Sequence, residues 1–371
     1  MARCAPVRAK VPSRLRALAT AAITAAITAV LLPSVLGTGP ATASPTRHPR
    51  PTTTLVLYNG QHEQTTGLLV KGFEKQYRDI KVSVRTDDEN TFDAQIIAEG
   101  RRSPADVFYT ENSPALEYLQ RHGLLAKLNA STLARTPREY SSSQGDWVGV
   151  SARVSVLLYN PRLIKKSQLP VHVLQLADPK YKGKLAIAPA ETDFQPIITA
   201  VVKAYGVKAA LRWLEGVRAN AASHIYPDDE AITDEVNRGV VSFGVVNQYY
   251  WYRLRAQVGA SNVASKITYF APRDPGYVID ISGAAVLKSS KHNAAAQKLV
   301  AYLVSRSGQD VIADSGYRRG QSTSFEYPIA SAVTTKAPEK PFQDLSPFPM
   351  TMAELGTGAQ AVSLLKQAEL L

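Results

Sequence analysis

The sequence from Thr54 to Val84, TLVLYNGQHEQTTGLLVKGFEKQYRDIKVSV, has the pattern of a complete β-α-β unit. Its opening apolar run is followed by Asn59-Gly60, a pair that favours a turn. Leu69, Phe73 and Tyr77 then recur at the spacing of one helix face, and the last residues alternate apolar with polar side chains as a half-buried strand does. We therefore predict strand, turn, helix and strand.

The same order of elements continues downstream. A helix is predicted through Phe92 to Ala98, a strand from Ala105 to Thr110, and another helix from about Ser113 to His122. Strands that alternate with helices at this spacing predict a mostly parallel sheet covered on both faces. In such sheets, ligands bind beyond the carboxyl ends of the strands.

Two chemically useful side chains fall at that edge of the predicted sheet. His62 lies shortly after the first strand, and Glu111 directly follows the third. Each has an ordinary alternative, because a histidine in a turn is commonly a solvated surface residue and Glu111 could cap the helix that begins near Ser113. Their shared position makes them candidate ligands rather than two unrelated polar residues.

The pattern begins again near Trp147 to Arg153. The predicted elements of this second half are strands at Ser155 to Tyr159, Lys184 to Pro189 and Val240 to Asn247, and helices at Ile197 to Ala204 and Lys208 to Val217. After a turn at Arg273 to Gly276, we predict a strand from Val278 to Leu287 and an amphipathic helix from Asn293 to Ser305, which return to the first half. The tail from Ser307 to Leu371 is predicted to end in a helix from about Gly358, and its docking cannot be inferred from the pattern.

Two adjacent phenols, Tyr249 and Tyr250, come directly after the apolar strand Val240 to Asn247. A phenol is normally protonated up to a pKa of about 10. Only a strongly charged, hard cation holds two phenols ionised at neutral pH, because a bound ion reverses the usual pKa order. That chemistry indicates ferric iron. The alternative is that both rings are core residues with hydrogen-bonded hydroxyl groups.

The N-terminal residues have the pattern of a secretory signal peptide. Five basic residues within the first 16 precede the apolar run Ala17 to Leu36, and Ala41-Thr42-Ala43 offers a small-residue cleavage site. A retained membrane anchor is the weaker alternative, since Pro33 interrupts the run. Cys4 is the single cysteine and precedes the apolar run, so no lipobox cysteine is present. We expect an exported protein, periplasmic or extracellular, without disulfides.

Composition limits the classes of partner. The 371 residues are 45% hydrophobic and 20% charged, as in soluble globular proteins. The net charge of +12 falls to +7 once the signal peptide's basic residues are removed, leaving 38 Lys and Arg against 31 Asp and Glu. These charges are scattered and do not cluster with aromatic residues, so nucleic acid is not an expected partner.

Several segments together resemble the periplasmic ferric-ion-binding proteins of bacterial ABC importers. They occur in the family's order over about residues 54 to 325: Leu57 to His62, Glu99 to Glu111, Asn247 to Trp251, Arg273 to Gly276 and Ser282 to Ser290. The resemblance implies an α/β, two-lobed periplasmic-binding-protein (type II) fold with a hinge and an interlobe cleft. It also implies a monomer that passes Fe(3+) to an inner-membrane ABC permease.

The resemblance also implies a ligand set. In the family, a His and a Glu from the first lobe and two consecutive Tyr from the second hold the iron. Residue by residue, these positions fall on His62, Glu111, Tyr249 and Tyr250. Three oxygen donors and one imidazole suit a hard trivalent ion.

One part of the sequence departs from the family. Members that hold a synergistic phosphate have a Ser-Gly-Ala-Phe-like turn and two asparagines, whereas this chain has Glu191, Asp193, Asp229 and Asn247 at those places. Clustered carboxylates repel phosphate. Either Glu191 or Asp193 binds the metal directly, or the cargo carries its own positive or neutral ligands; ferric iron with a small anion or chelator is the expected cargo. The alternative is that the three acids cap helices or face solvent.

The predicted organisation is as follows: residues 1–43 signal peptide, 44–53 linker, 54–152 first part of lobe 1, 153–278 lobe 2, 279–330 return to lobe 1, and 331–371 C-terminal extension. The crossing segments are expected near Ser151 to Val154 and Tyr277 to Ile281. A receptor of the same fold for an organic solute or a chelated metal, without tyrosinate ligation, is the alternative function. An enzyme is not expected, because the sequence lacks HExxH, GxSxG and phosphate-loop motifs.

Overall fold

The computed structural model describes residues 52–314, 325–334 and 340–371. The predicted signal peptide and the linker up to residue 51 lie outside the described residues. Among the described helices, none combines the length and the hydropathy that crossing a bilayer requires.

Strands and helices alternate along most of the chain. The strands are β1 Thr53–Gly60, β2 Ile80–Thr86, β3 Val107–Thr110, β4 Trp147–Tyr159, β5 Leu185–Ala186, β6 Phe243–Asn247, β7 Lys266–Thr268, β8 Ile279–Val286 and β9 Tyr327–Pro328. The helices are α1 Glu63–Gln76, α2 Glu89–Glu99, α3 Ser113–Arg121, α4 Ala130–Leu133, α5 Gln195–Tyr205, α6 Val207–Ala221, α7 Asp229–Arg238, α8 Gln248–Val258, α9 Asn293–Leu303, α10 Arg306–Ala313, α11 Met352–Leu355 and α12 Ala359–Gln367.

The strands follow the order β2-β1-β3-β8-β4-β6-β5, and β7 and β9 also pair with β4. The pairs β1–β2, β1–β3 and β5–β6 are parallel. The expectation of a mostly parallel sheet is wrong, because β8 is antiparallel to β3 and β4 is antiparallel to all four of its partners. The reason is that β8 re-enters the first half from the second, in the opposite direction to the strands on either side.

Helices cover both faces of the first half of the sheet. On one face, α1 packs through Leu69 and Phe73 with α9 and α10. On the other face, Phe92 of α2 and Leu116 of α3 join a second core. Each buried side chain of this size stabilises the fold by about 1.5–3 kcal/mol relative to leaving it exposed.

Strand β4 connects the two halves of the sheet. All 13 of its residues are buried. Trp147 to Val154 pair with β8, and Ser155 to Tyr159 pair with β6. The predicted crossing segments are therefore neighbouring antiparallel strands, in which Arg153 lies opposite Asp280.

The C-terminal residues pack on both halves of the protein. Helix α12 lies against α5 and α6, whereas α11 contacts α3 and α5. Met352 of α11 is buried, and the Ser113 hydroxyl at the start of α3 lies 3.5 Å from its sulfur. The predicted final helix is present and begins at Ala359.

Candidate metal centre

The loop after β1 positions His62 at the start of α1. The Gln61 side chain accepts a hydrogen bond from the His62 backbone N–H at 2.7 Å and donates to the Ser282 hydroxyl at 2.9 Å. A Cβ at Gly60 would lie 2.8 Å from the Glu89 Cβ, so only glycine allows this close approach. The imidazole is consequently fixed over the carboxyl end of β1.

The segment after β3 brings Glu111 to the imidazole. The Glu111 Oε1 atom is 3.2 Å from the His62 Nε2 atom. Both side chains are 18% exposed, so the pair is largely shielded from water but still reaches the surface. The next residue, Asn112, donates from its side chain to Glu89 at 2.9 Å and to the Thr192 hydroxyl at 2.7 Å. Thr192 belongs to the second half, so this contact joins the two halves of the protein.

The two phenols lie on the first turn of α8. Helix α8 begins at Gln248, whose side-chain oxygen accepts from the Val154 backbone N–H at 2.8 Å and fixes the helix on β4. The Tyr249 and Tyr250 rings stack with centroids 4.2 Å apart. We had not predicted this helix, because a run of aromatic residues after a strand gave no helical period.

The four predicted ligands are brought together. The Tyr249 hydroxyl donates to Glu111 Oε1 at 2.7 Å, and its ring centroid lies 5.3 Å from that of His62. The Tyr250 hydroxyl donates to Glu191 at 2.6 Å. Hydrogen bonds to carboxylates satisfy both phenols here, whereas a core tyrosine usually finds a neutral acceptor.

The turn between β5 and α5 supplies the additional acidic candidates. Asp193 Oδ2 lies 3.2 Å from the Tyr249 hydroxyl, and the other carboxyl oxygen faces Arg153. Glu191 accepts the Asp229 backbone N–H in addition to the Tyr250 hydroxyl.

Asp229 and Asn247 stand further back. Asp229 is the first residue of α7, and its Oδ2 accepts the Asn247 backbone N–H at 3.1 Å. An acid at this position also complements the helix dipole. Its carboxyl group therefore holds the Asn247 backbone, whereas the side chain that caps α7 is that of Asp228.

Arg153 is a central residue that we had not predicted as part of the site. It is completely buried in β4, and its Nε atom is 3.2 Å from Asp193 Oδ1. Its Nη1 atom is 3.1 Å from Glu326 Oε1, and Nη2 donates to the Glu111 carbonyl oxygen. A charged residue inside an otherwise apolar strand was the signal that could have identified it, since buried arginines are rare unless they are paired.

The pKa shifts of His62 and Glu111 favour an ion pair between the two side chains. Burial alone would raise the pKa of Glu111, but the His62 imidazole, the Arg153 guanidinium and the Tyr249 hydroxyl together hold it well below its usual range. Burial lowers the pKa of His62, and the Glu111 carboxylate more than offsets this and raises it.

Burial raises the pKa values of the remaining donors. Burial and the nearby carboxylates raise the pKa of both Tyr249 and Tyr250 well above the usual phenol value. Burial and the charge of Asp193 raise the pKa of Glu191 to about 8. Burial raises the pKa of Asp193 to about 6 against the opposing effect of Arg153. The cluster therefore has a shortage of positive charge that a cation would supply.

The chemistry of the cluster is that of a hard-metal site built with phenols. Within residues 52–314, 325–334 and 340–371, no group of three or more His, Cys, Asp or Glu side chains is arranged to hold a metal ion. The donors that converge here include the Tyr249 and Tyr250 hydroxyls beside one imidazole and several carboxyl oxygens. Oxygen donors with one imidazole and no thiolate favour a hard cation over a soft one.

Comparison with known proteins places these observations in a family. Residues 102–342 match the model of the bacterial extracellular solute-binding proteins. The Fe(3+)-binding periplasmic protein of Serratia marcescens is 36% identical over 317 residues, which cover 85% of this chain and 90% of that protein. The major ferric iron-binding protein of Neisseria meningitidis serogroup A is 33% identical over 85% of this chain and 92% of its own length.

A solved structure agrees with the sequence comparison. The iron-bound HitA of Pseudomonas aeruginosa superposes with a TM-score of 0.80 at 39% identity, over 85% of this chain and 99% of that one. The predicted two-lobed periplasmic-binding-protein fold is confirmed by this similarity. Proteins of this family carry solutes and are not enzymes, as predicted. The chain belongs to the bacterial extracellular solute-binding proteins and, among them, to the periplasmic ferric-ion-binding proteins.

Proposed function

We propose that this protein captures ferric iron in the cleft between its two lobes and delivers it to an ABC permease in the inner membrane. One observation carries the proposal: an imidazole, a carboxylate and a phenol from three distant segments meet within hydrogen-bonding distance, and a second phenol stacks on the first. The ferric-binding relatives support iron as the cargo, which the protein transports rather than retains as a cofactor.

His62, Glu111, Tyr249 and Tyr250 are the proposed iron ligands. In the metal-free protein, protons and hydrogen bonds occupy the phenol oxygens. A trivalent cation would replace those protons, because coordination lowers the pKa of a hydroxyl donor far more than burial raises it. Iron binding is therefore coupled to proton release.

Asp193 is the proposed additional ligand, with Glu191 as the alternative. Its Oδ2 atom faces the same Tyr249 hydroxyl that Glu111 accepts, so three oxygen donors converge on one point. One carboxyl oxygen of Glu191 accepts a hydrogen bond from the Asp229 backbone N–H, and the other accepts from the Tyr250 hydroxyl. With Asp193, the site would have enough negative charge to bind Fe(3+) without an external phosphate.

The test is a titration of the purified, metal-stripped protein with ferric nitrilotriacetate while the visible spectrum is recorded. Phenolate bound to Fe(3+) absorbs in the visible, so the wild type should develop a charge-transfer band with a stoichiometry of about one iron per chain. Tyr249→Phe and Tyr250→Phe should each reduce that band strongly, since each removes one phenolate.

Tyr205→Phe is the matched control, because Tyr205 is 46% exposed at the end of α5. Its spectrum should equal that of the wild type. If the wild type gave no visible band and ferric iron did not raise its melting temperature, the iron proposal would be wrong, and the organic-solute or chelated-metal receptor would take its place.

Export and the working oligomeric state are part of the same proposal. The periplasmic relatives support a protein that acts outside the inner membrane. We propose that it does so as a monomer, because each chain supplies a complete set of donors. Light scattering of the iron-loaded protein should give the mass of one chain.

A further inference from the structure

We propose that Arg153 is a positioning residue that holds the two halves of the iron-donor set in register before the metal arrives. The inference rests on the proposed iron-capture function and adds to it a residue that does not itself bind the metal. Its basis is the position of one buried guanidinium that touches both sides of the cleft.

Arg153 lies where β4 passes from one half of the sheet to the other. Val154 still pairs with β8, whereas Ser155 pairs with β6. The side chain has no exposed surface, so the surrounding groups fix its guanidinium in place. Whatever this guanidinium binds is fixed relative to the strand that joins the two lobes.

The three guanidinium nitrogens contact oxygen atoms from different segments, two of them through hydrogen bonds and the third as an ion pair. Nη2 donates to the carbonyl oxygen of Glu111, which follows β3 in the first lobe. Nη1 lies 3.1 Å from Glu326, which adjoins β9 on the same side. Nε faces Asp193, at the start of the second lobe's α5 region, at 3.2 Å. One side chain therefore links both walls of the cleft.

Each of these contacts connects Arg153 to one of the proposed iron ligands. Glu326 accepts from the Gln61 side chain at 3.2 Å, and Gln61 in turn holds the His62 backbone. The Glu111 carbonyl contact fixes the backbone of that ligand directly. Asp193 Oδ2 lies 3.2 Å from the Tyr249 hydroxyl. Arg153 thus contacts the Glu111 backbone directly, reaches Tyr249 through Asp193, and reaches His62 through Glu326 and Gln61.

The planar fork of arginine suits this arrangement, and lysine does not. A guanidinium offers fixed N–H directions to several acceptors, whereas an ammonium is a compact point charge on a flexible stem. Lysine would keep the positive charge among the buried acids but could not meet all three acceptors. Arg153→Lys therefore separates positioning from simple charge balance.

The experiment compares wild type with Arg153→Lys and Glu326→Gln, using ferric nitrilotriacetate as the probe. Arg153→Lys should weaken iron binding by about 10- to 100-fold, the usual effect of losing a group that orients metal ligands, and should shift the charge-transfer band. Glu326 holds Gln61 and also interacts with the charge of His62, so Glu326→Gln should weaken binding in the same direction through both contacts. Arg135→Lys is the matched control, because Arg135 bonds a backbone carbonyl in an exposed place.

A readout without iron separates this inference from the iron proposal. Small-angle scattering of the metal-free proteins should give a larger radius of gyration for Arg153→Lys than for wild type, since the tie across the cleft is lost. If the wild type bound no iron, the proposed function would fail while this readout still tested Arg153.

The inference is overturned if Arg153→Lys and Glu326→Gln melt at lower temperatures but keep the wild-type iron affinity, spectrum and radius of gyration. That result would mean that Arg153 stabilises the fold by balancing the buried negative charges and does not position the iron ligands. Should Arg153→Lys not fold, Glu326→Gln decides between the two outcomes by its iron affinity and spectrum.

Discussion

At the scale of single residues, Asp193 is the proposed ligand that would take the place of an external anion. Its carboxyl group is held by Arg153 on one oxygen and faces the Tyr249 hydroxyl with the other. Asp193→Ala should weaken ferric binding and make it newly dependent on added phosphate or citrate, because an external anion could then fill the vacancy. The measurement is a ferric nitrilotriacetate titration with and without each anion. Wild-type binding that requires phosphate, and an alanine variant that behaves identically, would rule out the carboxylate ligand.

Glu89 sets a pH dependence of stability in the metal-free protein. Burial and the charge of Glu111 raise the pKa of Glu89 to about 8. A carboxyl group with a raised folded-state pKa contributes stability that is fully present below its unfolded pKa and is lost as pH rises through the folded value. The melting temperature of the metal-free protein should therefore fall between about pH 5 and pH 8. Glu89→Gln should flatten that decline, and a slope unchanged by the substitution would contradict the assignment.

The sequence predicted much of the site at this scale, but not all of it. His62, Glu111, Tyr249 and Tyr250 follow strand ends or a recognisable motif, and the structure brings them together. Their ligation of iron remains a proposal. Arg153 was missed because its role depends on which strands become neighbours, and no local pattern carries that information.

At the scale of elements, the docking of α12 is a stabilising contact that the sequence left open. Leu365 is fully buried on the face of α12 that meets α5 and α6. Leu365→Ala should reduce the free energy of unfolding by about 2–5 kcal/mol, because it removes apolar contacts and leaves a cavity. Urea denaturation gives the value. Leu371→Ala is the control, since Leu371 is 51% exposed and should change stability by less than about 0.5 kcal/mol.

Helix and strand positions were predicted well where the hydrophobic period was regular. The predicted helices near Ser113 and Asn293 begin at those residues. The hydrophobic period did not predict α8, because consecutive aromatic residues obscure its helix face. It also predicted β4 as a short strand, whereas the strand has 13 residues. Strand direction depends on long-range pairing, so the antiparallel character of β8 could not be derived from spacing.

At the scale of the whole molecule, closure of the cleft can be controlled through Asn112 and Thr192. Their side chains meet across the cleft at 2.7 Å, and the single native cysteine, Cys4, lies in the predicted signal peptide. Asn112→Cys combined with Thr192→Cys should form a disulfide that holds the lobes together. Oxidation before iron is added should slow uptake, and oxidation afterwards should slow release to a chelator, with reduction restoring both rates.

Stopped-flow absorbance of the charge-transfer band measures these rates. Each single cysteine variant is the control, and neither should respond to oxidant. Equal rates for the oxidised and reduced double variant, with the disulfide verified by mass, would mean that iron reaches the site without opening of the lobes.

The position of β8 has a consequence for how the chain is made. Strand β8 occupies the middle of the sheet, between β3 and β4, although its residues 279–286 follow the whole second lobe in the sequence. A nascent chain still shorter than this cannot complete its first sheet, and such long-range pairing slows folding. Translation must therefore be nearly finished before the native state can form. In a protein exported unfolded, this delay would keep the chain ready for translocation until β8 has left the ribosome.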